Sequence, residues 1–291
     1  MYKNLIIGGS GKLGKYISLP RSLFTYNKKK IPNAIWLNTD FKRFKEIYKS
    51  NNFENIFFLA GITDIDKCKK NLQQSKKINI DFPKKIIHFL KKKQTKFIYF
   101  STDQVYGNSF HAKETNKLKP VNTYAKQKVL IEKEIRKNLK NFLILRLSRV
   151  VLENDINGDF ISFFLKNVKY KRNIFACSNY CFNFIFSSYL TKSINFLVKN
   201  NMTGIFNIGG STVLSFFDIF FILKKKLMSY GYDSSRIILI KIKIEDLRFR
   251  EERARYINLS TKKLSEIYKK PPNSNLKLIQ VFKKKLNNFN L

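Results

Sequence analysis

A tyrosine and a lysine four residues apart, Tyr124 and Lys128, are the side chains in this sequence best suited to acid–base chemistry. The segment 124–139 contains no glycine or proline, and we predict a helix there. Residues three and four apart share a helix face. The face that includes the pair is otherwise apolar and contains Tyr124, Lys128, Ile131, Ile135 and Leu139. A lysine on an inward face needs a functional reason, since an isolated buried charge is costly.

The Tyr124 hydroxyl would give a proton to a substrate oxygen, or take one from it. A free tyrosine has a pKa of roughly 10 and is a weak acid at neutral pH. An ammonium about 4 Å away would favour the phenolate by ~4 kcal/mol at an effective dielectric constant of 20. This is on the order of three pKa units, so we expect Lys128 to lower the pKa of Tyr124.

A second hydroxyl, that of Thr102, would hold the same substrate oxygen. Thr102 lies in the stretch 101–107, which follows an apolar run and reads Ser-Thr-Asp-Gln-Val-Tyr-Gly. The alternative interpretation is that Tyr-x-x-x-Lys arises by chance in a chain rich in both residue types.

A glycine-rich turn near the start of the chain predicts a dinucleotide site. A short apolar strand at 5–7 leads directly into three glycines at three-residue spacing, Gly8, Gly11 and Gly14. Small residues let the backbone approach a pyrophosphate, and the start of the following helix offers N–H groups. An ordinary tight turn is the competing interpretation.

The second predicted strand, Ser22 to Tyr26, bears on the choice of cofactor. In dinucleotide folds an acid near this point binds the ribose 2′-hydroxyl, whereas a basic residue accommodates a 2′-phosphate. Here Asn27 and the lysines Lys28 to Lys30 follow the strand, and there is no acid. The pattern favours NADP(H) over NAD(H).

Strands and helices alternate through the first half of the chain. Apolar runs typical of strands buried on both faces occur at 55–61, 96–100 and 142–147. Helical patterns separate them at 41–51, 74–92 and 124–139. This order predicts an α/β fold with a Rossmann-like, doubly wound parallel sheet. Ala60, Gly61 and the 101–102 loop fall at strand carboxyl ends, where such sheets bind ligands.

The alternation changes after Arg149 and predicts a smaller, mixed α/β lobe. We therefore divide the chain into a Rossmann-like dinucleotide-binding domain, residues 1–150, and a mainly substrate-binding C-terminal lobe, residues 151–291. Within the second part, about residues 185–210 are expected to return to the first domain.

Composition sets further limits. The 291 residues are 44% hydrophobic, which supports a full core, and no apolar run approaches the ~18 residues of a membrane span. The N-terminal residues lead straight into an apolar strand, so we expect no signal peptide. The three cysteines fit a reducing cytoplasm. The spacing of Cys177 and Cys181 and the presence of only two histidines argue against a metal site.

The formal net charge of +37 raises the question of nucleic-acid binding. The lysines are spread over the whole chain, in short runs at the predicted ends of elements. We interpret them as solvated faces and expect no specific nucleic-acid partner, although low-salt binding to polyanions would follow from charge alone.

The glycine turn, the Ser-Thr-Asp stretch and the Tyr-x-x-x-Lys helix together resemble the extended short-chain dehydrogenase/reductase family. More narrowly, the chain resembles the dTDP-4-dehydrorhamnose reductase branch of the NAD-dependent epimerase/dehydratases. The similar stretches cover almost the whole length: 59–68, the helix around Asn79, 101–107, 124–128, 145–148, 204–210 and 253–264.

This resemblance implies a nicotinamide cofactor in the first lobe and a nucleotide-sugar in the second. By motif, Thr102, Tyr124 and Lys128 would be catalytic. The implied cofactor-binding residues are Gly8, Gly11, Lys12, Leu13, Gly14, Lys28, Asp40, Ala60, Gly61, Asn79, Ser101, Tyr124 and Lys128. The implied substrate-binding residues are Thr102, Asp103, Val105, Asn183, Phe184 and Arg253.

The chain departs from this branch in two places. The stretch at 183–188 reads Asn-Phe-Ile-Phe-Ser-Ser where Ser-Pro-Thr is usual, and Arg253 is followed by alanine instead of proline. The leading hypothesis is reduction of a nucleotide-linked 4-keto-6-deoxysugar. A nucleotide-sugar epimerase or dehydratase and a non-catalytic binding subunit remain alternatives, and a homodimer is one option for assembly.

Overall fold

A computed structural model describes residues 2–155, 157–233 and 237–289 of the chain. Over these residues the strands are β1 Asn4–Ile7, β2 Ser22–Tyr26, β3 Ala34–Trp36, β4 Asn55–Phe58, β5 Lys96–Thr102, β6 Ser109–Ala112, β7 Phe142–Leu147, β8 Arg149–Val151, β9 Ile174–Cys177, β10 Cys181–Phe186, β11 Gly204–Ile208, β12 Val213–Ser215, β13 Leu239–Ile242 and β14 Tyr256–Leu259.

The α-helices in the same ranges are α1 Phe41–Lys49, α2 Ile65–Lys70, α3 Leu72–Lys76, α4 Phe82–Leu90, α5 Thr123–Asn138, α6 Phe160–Lys169, α7 Ser187–Lys199, α8 Phe216–Ser229, α9 Lys262–Ile267 and α10 Ser274–Leu286. Across these ranges no helix combines the length and apolar character that crossing a membrane would require.

The large sheet contains seven strands in the order β11-β7-β5-β4-β1-β2-β3, and all of its pairs are parallel. After β1, the chain adds β2 and β3 on one side of it, and then adds β4, β5, β7 and β11 on the other side. The strand order therefore reverses between β1 and β4, which is where open α/β sheets bind their ligands. The predicted Rossmann-like, doubly wound fold is confirmed.

Helices cover both faces of this sheet. On one face, α1, α4 and α5 pack their apolar side chains, such as Phe44, Ile86 and Ile131, against the strands. On the other face, α7 and α9 do so through residues such as Leu190 and Leu264. Because both faces are covered, the strands are buried on both sides, which explains the near-continuous apolar runs in the sequence.

A second lobe carries a five-stranded mixed sheet in the order β12-β10-β14-β6, with β8 pairing to β10, and a separate pair of strands, β13 and β9. Its core is formed by α6, α8 and α10 with aromatic residues of β10. The last strand of the large sheet, β11, comes from the second half of the sequence and pairs in parallel with β7.

Two local predictions were wrong, one helix is less regular than predicted, and one strand was not predicted. The glycine turn leads only into a three-residue 3-10 turn, Gly14–Tyr16, because the backbone is already extended at Ile17. The helix predicted at 74–92 is present at 72–90, with a π-helical segment at Lys77–Asp81 between α3 and α4. Residues Ser101 and Thr102 end β5 and do not form a loop. Strand β6 was missed because its pairing partner, β14, is remote in sequence.

Candidate active site

Helix α5 carries the predicted acid–base pair. The Asn122 side chain caps it by accepting a hydrogen bond from the Ala125 backbone N–H at 3.0 Å. All five residues of the predicted inward face are buried, with Tyr124 and Lys128 exposed by only 8% and 6%. The prediction of this face is confirmed, and both polar side chains lie within the protein near the end of β5.

Residues of the second lobe form hydrogen bonds with the start of α5. The Glu251 carboxylate accepts from the Thr123 backbone N–H at 2.7 Å, and the Asn122 amide donates to the Glu252 carbonyl at 3.3 Å. The neighbouring Arg253 pairs with Asp66 at 3.0 Å and donates to the Glu251 carbonyl at 3.0 Å. The Arg253 guanidinium therefore links the two lobes through its contacts with Asp66 and with the Glu251 carbonyl.

A cavity of about 340 Å³ lies between the two lobes. The first lobe lines it with Leu13, Thr63, Ile65, Ser101, Thr102, Asp103, Gln104, Tyr124, Leu147 and Ser148. The second lobe lines it with Arg149, Val150, Leu152, Tyr180 and Phe182. Arg149 and Val150 are counted with this lobe, although the sequence division ended the first domain at residue 150, because β8 pairs with β10. The structure thus brings Thr102 and Tyr124 together in one cavity.

Two polar atoms in the cavity lining have no partner. Gln104 Oε1 and Ser148 Oγ are buried and make no hydrogen bond within the described part of the chain. Buried polar atoms in folded proteins are nearly always satisfied. Both residues line the cavity, although each of the two atoms is itself shielded from solvent.

Asp103 lies beside the Thr102 hydroxyl. The Thr102 hydroxyl donates to Asp103 Oδ1 at 3.0 Å, while the Gln104 amide lies 3.4 Å from the same oxygen. Burial raises the pKa of Asp103 to about 6, although the Thr102 hydroxyl and the Arg149 guanidinium act in the opposite direction. Asp103 therefore changes its charge within the physiological range.

The expected lowering of the Tyr124 pKa was wrong. Burial raises the pKa of Tyr124 well above its ordinary value, and the Asp103 carboxylate adds to the effect, whereas Thr102 opposes it. Lys128 does not compensate because its ammonium donates to the Phe100 carbonyl at 2.6 Å and lies over the Tyr99 and Tyr124 rings. Tyr124 is consequently a protonated phenol at neutral pH.

Lys128 is itself changed by its surroundings. Burial lowers the pKa of its ammonium to about 8, and the Glu132 carboxylate acts against that shift. The amine therefore remains mostly charged at pH 7. It lies 4.6 Å from the centre of the Tyr99 ring and 5.8 Å from the centre of the Tyr124 ring, where cation–π attraction contributes to its stability.

A buried ionic network behind the cavity was not predicted. Glu132 accepts from Ser101 Oγ at 2.5 Å and pairs with Arg146 at 2.6 Å. Arg146 also donates to the Tyr106 hydroxyl at 2.6 Å. The sequence did contain a signal, since Glu132 lies four residues after Lys128, at the edge of the predicted inward face.

A groove of about 220 Å³ lies at the carboxyl ends of β1 and β4. Gly8, Gly11, Ala60 and Gly61 line it, as predicted for a cofactor. Gly8 has a φ of +88°, and a Cβ there would lie 2.6 Å from the Ala60 nitrogen. No side chain fits at this position, so the backbone remains open to a close ligand.

The other predicted cofactor residues do not line the groove. Leu13 lines the cavity instead of the groove, and Lys12 donates to the Gly158 carbonyl at 3.5 Å. Lys28 is exposed just after Asn27, a groove residue. Asp40 is a helix cap that accepts from the Lys42 N–H at 2.8 Å, while the preceding residues, Asn38 and Thr39, line the groove.

Asn79 supports the groove from behind. Its side chain accepts from the Ile62 N–H and donates to the Ile62 carbonyl, both at 2.9 Å, and donates to Gln127 at 2.7 Å. The π turn places Asn79 at this point, and such turns are frequent at functional sites. Asn79 thus fixes the loop that follows Gly61.

Four predicted substrate residues lie outside the cavity lining, and one of them is Arg253, which pairs with Asp66. Val105 packs in a small core cluster, and Phe184 is fully buried in the core of the second lobe. The Asn183 amide donates to the carbonyls of Gly210 and Leu259, which ties β10 to its neighbours. The cavity is instead lined on this side by Tyr180 and Phe182.

A family model described as the RmlD substrate binding domain matches residues 2–286. Among curated proteins, a probable low-salt glycan biosynthesis reductase, Agl14 of Haloferax volcanii, is 26% identical over 127 residues. That match spans 43% of this chain and 42% of the relative.

Solved structures with the same fold cover nearly the whole chain. A hypothetical dTDP-4-dehydrorhamnose reductase from Sulfolobus tokodaii is 24% identical with a TM-score of 0.79, over 92% of this chain and 95% of that one. The dTDP-4-dehydrorhamnose reductase of Bacillus anthracis in complex with NADP is 19% identical with a TM-score of 0.83, over 98% and 100%. A UDP-glucuronic acid 4-epimerase from Bacillus cereus, in complex with UDP-glucuronic acid and NAD, is 17% identical with a TM-score of 0.79, over 98% and 99%.

Proposed function

The chain belongs to the RmlD substrate binding domain family, and from that premise we propose that it is an NAD(P)H-dependent reductase of a nucleotide-linked 4-keto-6-deoxysugar. The observation that carries this proposal is the inter-lobe cavity, in which Thr102 and Tyr124 lie together. The groove at Gly8 and Gly11 opens at the same carboxyl edge of the sheet, where β1 and β4 end.

In this proposal Tyr124 is the proton donor. Reduction of a ketone needs a donor that is protonated before the reaction, and the Tyr124 phenol is in that form at neutral pH. Its raised pKa makes the proton harder to release, so bound cofactor and substrate would have to lower that pKa. The Thr102 hydroxyl lines the same cavity and would orient the substrate oxygen. To stabilise the phenolate left after the proton has moved, the Lys128 ammonium would have to turn from the Phe100 carbonyl toward the Tyr124 hydroxyl.

The groove residues fit a dinucleotide. Gly8 leaves the backbone open beside Ala60, and the side chains of Thr25, Asn27 and Asn38 line the same groove. When bound, the cofactor would supply a hydride to the keto carbon. NADP(H) is favoured because Lys28 to Lys30 follow Asn27 as exposed cations that could meet a 2′-phosphate. This preference agrees with the Bacillus anthracis relative in complex with NADP.

An epimerase or dehydratase of the same family is less well supported. A dehydratase would use more than one acid beside the catalytic hydroxyl, whereas Asp103 is the single carboxylate in the cavity lining of the described residues. Its neighbour is the amide of Gln104. A cytoplasmic location and a homodimer remain part of the proposal as expectations from the sequence.

The test is a panel of nucleotide-linked 4-ketosugars, each incubated with NADPH and with NADH while the nicotinamide absorbance is followed. We expect consumption of NADPH with at least one 4-ketosugar and slower consumption of NADH. Epimerisation of the substrate without net consumption of reduced cofactor would show that the protein is an epimerase and not a reductase. Absence of any cofactor binding would refute both.

A further inference from the structure

Arg149 presents a positive charge to the inter-lobe cavity. It begins β8, directly after Ser148, and its side chain is exposed. The guanidinium carbon lies 4.8 Å from the centre of the Phe182 ring and 5.2 Å from that of Phe216. The Tyr180 hydroxyl lies 3.5 Å from one guanidinium nitrogen. Three aromatic side chains of the second lobe therefore fix the orientation of the group.

This guanidinium lacks the partner that comparable arginines have. Arg146 pairs with Glu132 at 2.6 Å, and Arg253 pairs with Asp66 at 3.0 Å. Within the ranges that the structure describes, no carboxylate oxygen lies within 4.0 Å of Arg149. Its charge is oriented by the rings but remains available to a ligand.

The surroundings of Arg149 point to an oxygen-rich ligand. The preceding residue, Ser148, has a buried hydroxyl with no hydrogen-bond partner, and it lines the same cavity. A planar guanidinium donates two parallel hydrogen bonds to a carboxylate or to phosphate oxygens. The rings restrict the guanidinium beforehand, so less conformational freedom is lost on binding.

We propose that Arg149 binds an anionic oxygen group of the substrate, either the diphosphate of the nucleotide-sugar or a carboxylate at C6 of its sugar, and the second would mean that the substrate is a uronic acid in place of the proposed 6-deoxysugar. This inference rests on the proposed function, because it takes the cavity to hold a nucleotide-sugar. It assigns the recognition of negative charge to the second lobe, at a position separate from the acid–base pair on α5.

The experiment measures binding by titration calorimetry and does not depend on turnover. The probes are dTDP-glucose, dTDP-glucuronic acid and dTDP, and the same three compounds with uracil as the base. The variants are Arg149→Gln, which removes the charge, and Arg149→Lys, which keeps it without the planar fork. Arg172→Gln is the matched control, since Arg172 is also exposed and lies 5.3 Å from the centre of a ring, that of Tyr170.

Two results would support the proposal and identify the group. Weakening of all six compounds by about 10- to 100-fold in Arg149→Gln identifies the diphosphate. A loss of this size for the two glucuronic acid compounds alone identifies the carboxylate. In either case Arg149→Lys should recover only part of the affinity, and Arg172→Gln should bind like the unmodified protein.

Equal affinity of Arg149→Gln and the unmodified protein for every probe that binds would overturn the inference and leave the proposed function intact. Failure of the unmodified protein to bind any of the six compounds would refute the proposed nucleotide-sugar site and the role of Arg149 with it.

Discussion

The two lobes meet at one cavity but supply it with different chemistry. The first lobe contributes the groups that can exchange protons or orient an oxygen, namely Thr102, Asp103 and Tyr124. The second lobe contributes aromatic walls, Tyr180 and Phe182, and the stacked cation of Arg149. Under the proposed function, reaction chemistry would belong to the first lobe and recognition of the substrate to the second.

The lobes also differ in what lies behind the cavity. In the first lobe a buried network of Ser101, Glu132, Arg146 and Tyr106 supports the end of β5 and the middle of α5. In the second lobe the support is an apolar core in which phenylalanine rings pack against one another. A rigid polar network suits groups that must be placed accurately, whereas an apolar wall suits binding.

The largest expected effect tests the chemical role of the first lobe. Tyr124→Phe removes the proton donor and should lower kcat by about 10²- to 10⁴-fold. The dissociation constant of the cofactor should stay nearly unchanged, because the ring is retained. Steady-state kinetics and fluorescence titration with NADPH measure the two quantities. Tyr189→Phe is the control, because it removes a buried hydroxyl outside the cavity lining, and it should keep the kcat of the unmodified protein. Unchanged turnover in Tyr124→Phe would show that Tyr124 is not the proton donor.

The next effect concerns the network behind the first lobe. Glu132→Gln leaves the buried Arg146 guanidinium without its carboxylate and should lower the free energy of unfolding by about 3–5 kcal/mol. Chemical denaturation measures this change. Glu46→Gln breaks the exposed pair with Arg43 and should cost no more than about 1 kcal/mol. Similar losses of unfolding free energy in the two variants would mean that the buried pair contributes no more to stability than an exposed pair does.

A smaller effect depends on pH. The pKa of Asp103 is raised from 3.8 to about 6 in the folded protein, so between these values the folded state binds more protons than the unfolded state. The free energy of unfolding therefore falls as pH rises through this window, by up to about 3 kcal/mol.

Asp103→Asn removes that contribution. Denaturation of both proteins at pH 4 and at pH 7 should show the unmodified protein losing more stability than the variant. The difference between the two proteins cancels the titration of the other carboxylates. An equal pH dependence would show that Asp103 titrates as an ordinary carboxyl group.

The smallest effect tests the cofactor preference of the first lobe. Replacement of Lys28 to Lys30 by glutamine should weaken NADPH by roughly two- to five-fold, as expected for exposed ion pairs, and NADH by less. Replacement of Lys91 to Lys93, an equally exposed run after α4, removes the same charge and is the matched control. Equal weakening of both cofactors would leave the preference for NADP(H) without support.

Periodicity predicted the first lobe well because local sequence determines it. Apolar runs marked β4, β5 and β7, and the spacing along α5 placed Tyr124 and Lys128 on a buried face. The Tyr124 pKa could not be predicted in the same way. It depends on the burial of the hydroxyl and on the direction in which the Lys128 ammonium points, and both are set by tertiary packing.

The second lobe was harder to predict for the same reason. Asn183 ties together carbonyls at Gly210 and Leu259, which are remote in sequence, so its structural role was not visible. Arg149 was one cation among the 57 lysine and arginine residues of the chain. Only the fold distinguishes a guanidinium that lines a cavity, and whose nearest carboxylates are more than 4.0 Å away within the described residues, from the many that are solvated or paired.

The most direct test of the account is a crystal structure of the protein with NADPH bound. We expect the pyrophosphate against Gly8 and Gly11 and the nicotinamide ring in the inter-lobe cavity beside Thr102 and Tyr124. A cofactor that binds elsewhere, or one whose nicotinamide lies away from the Tyr124 hydroxyl, would contradict the central claim that this phenol delivers the proton.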